Sequence, residues 1–190
     1  IYFGGNAEAA GGWRHRFRTS LGGRASYLVS YRGYGSSGGT PTERDLVEDG
    51  VAVVRDVASR HASVALIGRS LGSGVATQVA ADPRVRDRIE AVVLVTPFDS
   101  LARVVRNLFR GVPVDRLLTD TFRSDRFAAR ITAPILVLRA GLDTLVPPDS
   151  TDRLVAVLPA DSRVIDFPEA DHRSIAQDDD YWHAIQEFLG

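Results

Sequence analysis

Short runs of uninterrupted apolar residues alternate along this chain with longer stretches in which apolar positions recur every three or four residues. Residues 64–67 are a continuous apolar run of strand length, residues 89–95 and 134–140 are strand-length runs apolar but for Glu90 and Arg139, and residues 1–3, 27–31 and 163–167 are shorter or more mixed ones. Such runs predict strands buried on both faces of a parallel sheet. Helical patterns separate them. Thr42-Glu43-Arg44-Asp45 opens one helix with a capping residue and early acids, and Leu46, Val47, Gly50, Val53, Val54 and Val57 give it an apolar face. Residues 71–81 predict a second helix made of small residues, 149–158 a third and 179–189 a last one. Residues 7–17 read as a helix interrupted by Gly11-Gly12, and residues 32–39 as a loop too rich in glycine for regular structure. Strand–helix alternation with apolar strands predicts a mostly parallel sheet with helices on both faces. No repeat or linker divides it, so residues 1–190 read as a single α/β domain.

One interval breaks the alternation. Between Pro97 and Pro134 the residues Leu101, Val104, Val105 and Leu108 recur at helical spacing, interleaved with Arg103, Arg106 and Arg110. The preferred reading of this helix is the ordinary one, a surface helix packed on the sheet with solvated arginines. A small cap, or a basic helix touching lipid, is the alternative. The interval as a whole follows the C-terminal end of a strand, where α/β proteins place their sites, and is the better candidate for lining a pocket.

Composition narrows the function classes. An apolar fraction of 44% and a charged fraction of 25% are those of an ordinary soluble protein. A net charge of −1 supplies no electrostatic footprint for nucleic acid. All 23 basic residues are arginine, which points to coding bias more than to a binding surface. The absence of cysteine excludes disulfides, thiolate metal sites and a cysteine nucleophile. No His/Asp/Glu cluster has metal-ligand spacing, so no metal or cofactor is expected. No apolar run reaches the roughly 20 residues of a membrane span.

The chemistry concentrates at Gly68-Arg69-Ser70-Leu71-Gly72, between a strand run and a helix pattern. A G-x-S-x-G in that context is a nucleophile elbow: the serine turns sharply off the strand end, and only glycine fits two residues to either side. A serine needs a base to take its proton and an acid to orient that base. In a parallel sheet all three come from loops at the C-terminal ends of strands. Asp143 follows the run 135–138 and His172 follows the last strand, in the order Ser70, Asp143, His172. His15, His61 and His183 fall at the wrong end of the sheet or away from the site. Asp99, just after the strand 89–95, is the alternative acid, and Asp171 reads as a solvated loop acid. An oxyanion hole needs two N–H donors. Leu71, after the nucleophile, supplies one, and Asn6 in the turn Gly4-Gly5-Asn6 is the candidate for the second.

Tyr2-Phe3-Gly4-Gly5-Asn6-Ala7-Glu8, Tyr31-Arg32-Gly33-Tyr34-Gly35-Ser36-Ser37-Gly38, the elbow, Asp143 before Val146-Pro147, and His172 together resemble the α/β-hydrolase superfamily. Within it the chain is similar to the branch of serine-aminopeptidase-like and α/β-hydrolase-domain lipid hydrolases and depalmitoylases. The resemblance implies an α/β-hydrolase fold with a short cap between residues 97 and 134. Two strands of that fold would precede residue 1, leaving the edge near residues 27–31 uncovered and open to self-association. The branch also carries histidine where Gly4 stands, a residue that supports the oxyanion turn.

The expected function is a serine hydrolase of the esterase, lipase or thioesterase type, acting on an acyl-bearing small molecule through an acyl-enzyme. A serine aminopeptidase and a non-catalytic binding module with a degenerate site are the alternatives. A cytoplasmic location is expected, with membrane contact available only through a segment preceding residue 1.

Overall fold

In the computed structural model, which describes residues 1–109 and 114–190, the apolar runs form one six-stranded sheet, parallel throughout. Its strands are β1 (Tyr2–Phe3), β2 (Leu28–Val29), β3 (Val64–Arg69), β4 (Ile89–Val95), β5 (Ile135–Ala140) and β6 (Arg163–Phe167). The spatial order is β2-β1-β3-β4-β5-β6, with β3 and β4 at the centre. The two-residue side-chain period of a strand divides the core into two layers. Leu66, Val92, Leu94, Ile135 and Val137 point to one layer, and Ile67, Val93, Val95, Leu136 and Leu138 to the other.

The first layer is closed by α2 (Glu43–Ala58), α3 (Leu71–Ala81) and Leu154 of α6 (Pro148–Val155). The second is closed by α1 (Arg14–Ser20) and α7 (Asp179–Leu189), whose Phe17, Tyr181 and Trp182 stack edge to face. Helix α3 is buried on every side, which explains its small residues. Gly50 lets α2 come close to it, since a β-carbon there would lie 2.7 Å from Val79.

Several local expectations are met and some are corrected. Thr42 caps α2, its hydroxyl accepting from Asp45 N–H at 3.2 Å. Thr42→Ala is expected to lower stability by about 1 kcal/mol in a denaturant titration. Residues 7–17 are not one interrupted helix. A 3-10 turn, Ala10–Trp13, carries both glycines and runs into α1, which extends to Ser20. The strand expected at 27–31 pairs only over Leu28–Val29, and α6 ends at Val155, short of residue 158.

The interval 97–134 holds α4 (Leu101–Leu108), α5 (Val114–Leu117) and two 3-10 turns, Ser124–Arg126 and Ala128–Arg130. Val104 joins the core, but all four stripe residues of α4 also line a cleft over the strand ends, so the helix is more than a cover for the sheet. Arg103 is paired with Asp99 while staying partly exposed, and Arg110 lies outside the described residues. No helix among the described residues is long and apolar enough to cross a membrane.

Candidate active site

Ser70 sits between β3 and α3 with φ 52° and ψ −118°, a conformation L-residues rarely adopt. The cost of such backbone is about 1–3 kcal/mol, and the surrounding structure must impose it. The two flanking glycines allow two different close approaches. A β-carbon on Gly68 would lie 2.4 Å from the Gly72 carbonyl, inside the elbow, and one on Gly72 would lie 2.0 Å from the carbonyl of Phe3 in β1. Ser70 N–H donates to the Val95 carbonyl at 3.0 Å, and both the amide and the hydroxyl of Ser73 donate to the Ser70 carbonyl. The elbow is therefore tied to β4 and to the first turn of α3.

The other two chemical groups come from the loops after β5 and β6. Gly141 N–H donates to the Phe167 carbonyl and Leu142 N–H to the Ala170 carbonyl, so the two loops are hydrogen-bonded to each other. Gly141 is needed for that approach, because a β-carbon there would meet the Pro168 carbonyl at 2.5 Å. Asp143 is buried. Its Oδ1 accepts from the amides of Leu145 and Val146 at 2.9 and 2.8 Å, and its Oδ2 lies 2.7 Å from His172 Nδ1. His172 Nε2 lies 3.0 Å from Ser70 Oγ. An ionised carboxylate only accepts, so the proton between Asp143 and His172 sits on Nδ1, leaving Nε2 free to accept from the serine hydroxyl. The structure thus brings Ser70, His172 and Asp143 into one relay.

The rival residues are occupied elsewhere. Asp99 is fully buried and accepts from Ser150 Oγ at 2.6 Å, from Arg153 Nε at 3.0 Å and from Arg103, tying α4 to α6. Asp171 accepts from the amides of Arg173 and Ser174, and these hydrogen bonds hold its carboxyl below the ordinary value. It shapes the turn that presents His172. His61 pairs with the Tyr27 hydroxyl at 2.9 Å, near the start of β3. His15 and His183 are exposed on α1 and α7.

The turn after β1 lies beside the elbow. Among the described residues no group accepts from the Asn6 N–H, and Leu71 opens α3, where the first amides have no partner within the helix. The Asn6 side chain accepts from Tyr34 OH, and Tyr31 OH donates to the Gly4 carbonyl at 3.1 Å. Burial pushes the Tyr31 phenol well above its ordinary value, so it stays a donor.

Sequence reasoning gave no role to Glu8 and Arg69. Glu8 accepts from Tyr2 OH at 2.5 Å, from Gly5 N–H at 3.1 Å and from Arg69 Nη1 at 2.6 Å, while Arg69 Nη2 donates to the His172 carbonyl at 2.9 Å. Burial, with Tyr181 and Glu8 adding to it, holds the Tyr2 phenol protonated. The available signal was a long charged side chain at the variable position of the elbow, where it must lie beside the serine.

The cleft above these groups has a volume of about 940 Å³. Its walls are largely apolar, with Trp13, Phe98, Leu101, Val104, Val105, Leu108, Phe122 and Leu145 around Ser70 and His172. Phe122 is held at φ 38° by its amide, which donates to Glu43 Oε2 at 2.9 Å. Among the described residues no group of three His, Asp or Glu is placed to hold a metal ion.

Comparisons with known proteins place the fold in a family. The model of the alpha/beta hydrolase family matches residues 3–130. An uncharacterized protein of Mycobacterium tuberculosis, Rv2307c, is 36% identical over 149 residues, covering 76% of this chain and 52% of its own length. The protein bem46 of Schizosaccharomyces pombe is 28% identical over 171 residues, 86% of this chain and 56% of that protein. The chain thus spans about half the length of these curated relatives. Among solved structures, the monoacylglycerol lipase of Paleococcus ferrophilus superposes with a TM-score of 0.75 at 23% identity, over 99% of this chain and 92% of that one, a likeness of fold. With the matched family model, the parallel sheet and the elbow in agreement, the chain belongs to the alpha/beta hydrolase family.

Proposed function

We propose that this chain is a serine hydrolase that cleaves a carboxylic ester or thioester through an acyl-enzyme. The observation that carries the reading is the unbroken relay from Ser70 Oγ through His172 to Asp143 at the base of an apolar cleft. As Ser70 Oγ attacks the acyl carbon, its proton passes to His172 Nε2. The oxyanion is received by the amides of Leu71 and Asn6. His172 then protonates the departing alkoxide or thiolate, and the acyl group remains on Ser70. A water molecule, deprotonated by His172, attacks the acyl carbon; the bond to Ser70 Oγ breaks, Oγ takes the proton back from His172, and the acid is released. Asp143 holds Nδ1–H throughout and stabilises the imidazolium.

The cleft favours an acyl group over a peptide. An aminopeptidase needs a carboxylate for the substrate's ammonium group. Of the two acids lining this cleft, Glu8 is committed to Tyr2, Gly5 and Arg69, which leaves Asp120, bonded through one oxygen to Glu43 N–H, as the single carboxylate a peptide's ammonium group could use among the described residues. The apolar walls offer an acyl chain a surface worth about 0.8 kcal/mol per buried methylene.

A panel of p-nitrophenyl esters of increasing chain length, set beside aminoacyl p-nitroanilides, tests this. Ester hydrolysis is expected, with kcat/KM rising up to about fourfold per methylene that enters the cleft. Faster turnover of the anilides would favour a peptidase instead. Asp99→Asn is expected to keep kcat within about threefold of wild type, because the mutated carboxyl does not touch the imidazole, and to lose about 1–3 kcal/mol of stability as its partners are left unpaired.

A further inference from the structure

Beneath the site lies an ion pair that the hydrolytic steps do not use. Glu8 and Arg69 approach to 2.6 Å, with side chains only 13% and 11% exposed. The pair touches the turn after β1 and the His172 loop, and one of its members is part of the elbow. The Glu8 carboxylate accepts from Gly5 N–H in the oxyanion turn and from Tyr2 OH on β1. Arg69 immediately precedes the nucleophile, donates to the main-chain carbonyl of His172, and lies with its guanidinium 5.7 Å from the Trp13 ring centroid.

Stability alone gives this pair little reason to exist. Removing two charges from water costs about as much as their attraction returns, and a neutral pair of similar volume serves a core as well or better. Compensation here is also incomplete, since Arg69 Nε has no partner among the described residues. What the pair does supply is geometry, because a forked guanidinium and a two-oxygen acceptor fix several loops at once.

Gly4 points the same way. A β-carbon there would stand 2.9 Å from Glu8 Oε1. A side chain at position 4, histidine included, would therefore displace the carboxylate from its place under the turn. Glycine at position 4 and the Glu8 carboxylate are one solution to supporting that turn. Glu8 engages the Gly5 amide, while the next amide, that of Asn6, has no acceptor among the described residues.

We infer that Glu8 and Arg69 are positioning residues, a brace that sets the oxyanion turn from below and holds the His172 loop against the elbow. The inference rests on the serine-hydrolase reading, since it concerns the alignment of that site. It goes beyond that reading in assigning the alignment to a charged pair outside the reacting groups.

The test compares wild type, Glu8→Gln, Arg69→Met and the double variant by thermal midpoint, steady-state ester kinetics and the low-field proton NMR signal of the His172 Nδ1–H···Asp143 hydrogen bond. Each single variant leaves a buried partner unmatched and is expected to melt earlier, while the double variant, neutral at both positions, recovers the wild-type midpoint. Its kcat is nonetheless expected to stay about 10²-fold low, as for a misplaced catalytic loop, with KM changed by less than about twofold. Its low-field proton is expected to be lost or broadened. A double variant that regains kcat and the low-field signal together with its midpoint would overturn the brace and leave a merely structural pair. A wild-type protein that shows the low-field proton but hydrolyses no ester would defeat the hydrolase reading instead. The brace would then be judged on the NMR signal of the double variant alone.

Discussion

Replacing His172 by alanine is expected to lower turnover of an activated ester by about six orders of magnitude, and Asp143→Asn by about four. The two numbers differ because the residues do different things. Without the imidazole nothing within reach takes the proton of Ser70 Oγ, since His172 Nε2, 3.0 Å away, is its one titratable partner among the described residues. In Asp143→Asn the imidazole stays, but an amide N–H can face Nδ1. The ring then turns its proton to Nε2, the atom that must accept from serine. The substituted amide would still offer its carbonyl oxygen to the backbone N–H groups of Leu145 and Val146, so the loop keeps its shape. Thermal midpoints close to wild type are therefore expected beside the collapse in kcat. Steady-state kinetics at saturating ester, with calorimetry on the same samples, measure both.

Gly72→Ala carries the largest expected loss of stability. The added methyl would stand 2.0 Å from the Phe3 carbonyl oxygen, 2.5 Å from its carbon and 2.6 Å from the Gly4 carbonyl. These are backbone atoms of β1 and of the turn that follows it, so no rotamer change relieves the clash. Either α3 or β1 must shift, at a cost of about 3 kcal/mol or more. For a domain of this size that lowers the midpoint by roughly 6–12 °C. The same movement opens the distance between Leu71 and Asn6, so activity should fall further than unfolding alone explains. Gly11→Ala is the control. Nothing lies within 4 Å of the methyl it would add, and its midpoint should stay within about 2 °C of wild type.

The strands and the relay were legible in the sequence because each is written locally. Residues 64–67, 89–95 and 134–140 are apolar at nearly every position, a pattern that suits a strand buried on both faces, and all three are interior strands of the sheet. The elbow is equally local, since strain at Ser70 and two close approaches leave a fixed spacing of glycines. In a parallel sheet, positions just after strands put Asp143 and His172 at the same edge as Ser70, and His172 lies within hydrogen-bond distance of both other side chains there.

Other features depend on partners distant in the chain. Residues 27–31 look like a full strand, yet pairing with the two residues of β1 limits β2 to Leu28–Val29. The apolar stripe of α4 shows that one face is covered but not by what, and part of that face borders the cleft. Asp99 has the right position after β4 for an acid; Arg103, Ser150 and Arg153 bind it to the scaffold instead. Glu8 and Arg69 are 61 residues apart and meet only because β1 and β3 are neighbours. Gly4 looked like the loss of a supporting side chain. In the fold it is the space that the Glu8 carboxylate needs.

The most direct measurement is the intact mass of the protein after incubation with a fluorophosphonate, on wild type and on Ser70→Ala. Activation of Ser70 by His172 predicts a single adduct on wild type, located at Ser70 by peptide mapping and absent from the alanine variant. An adduct that persists in Ser70→Ala, or none on folded wild-type protein, would contradict a serine nucleophile at the elbow.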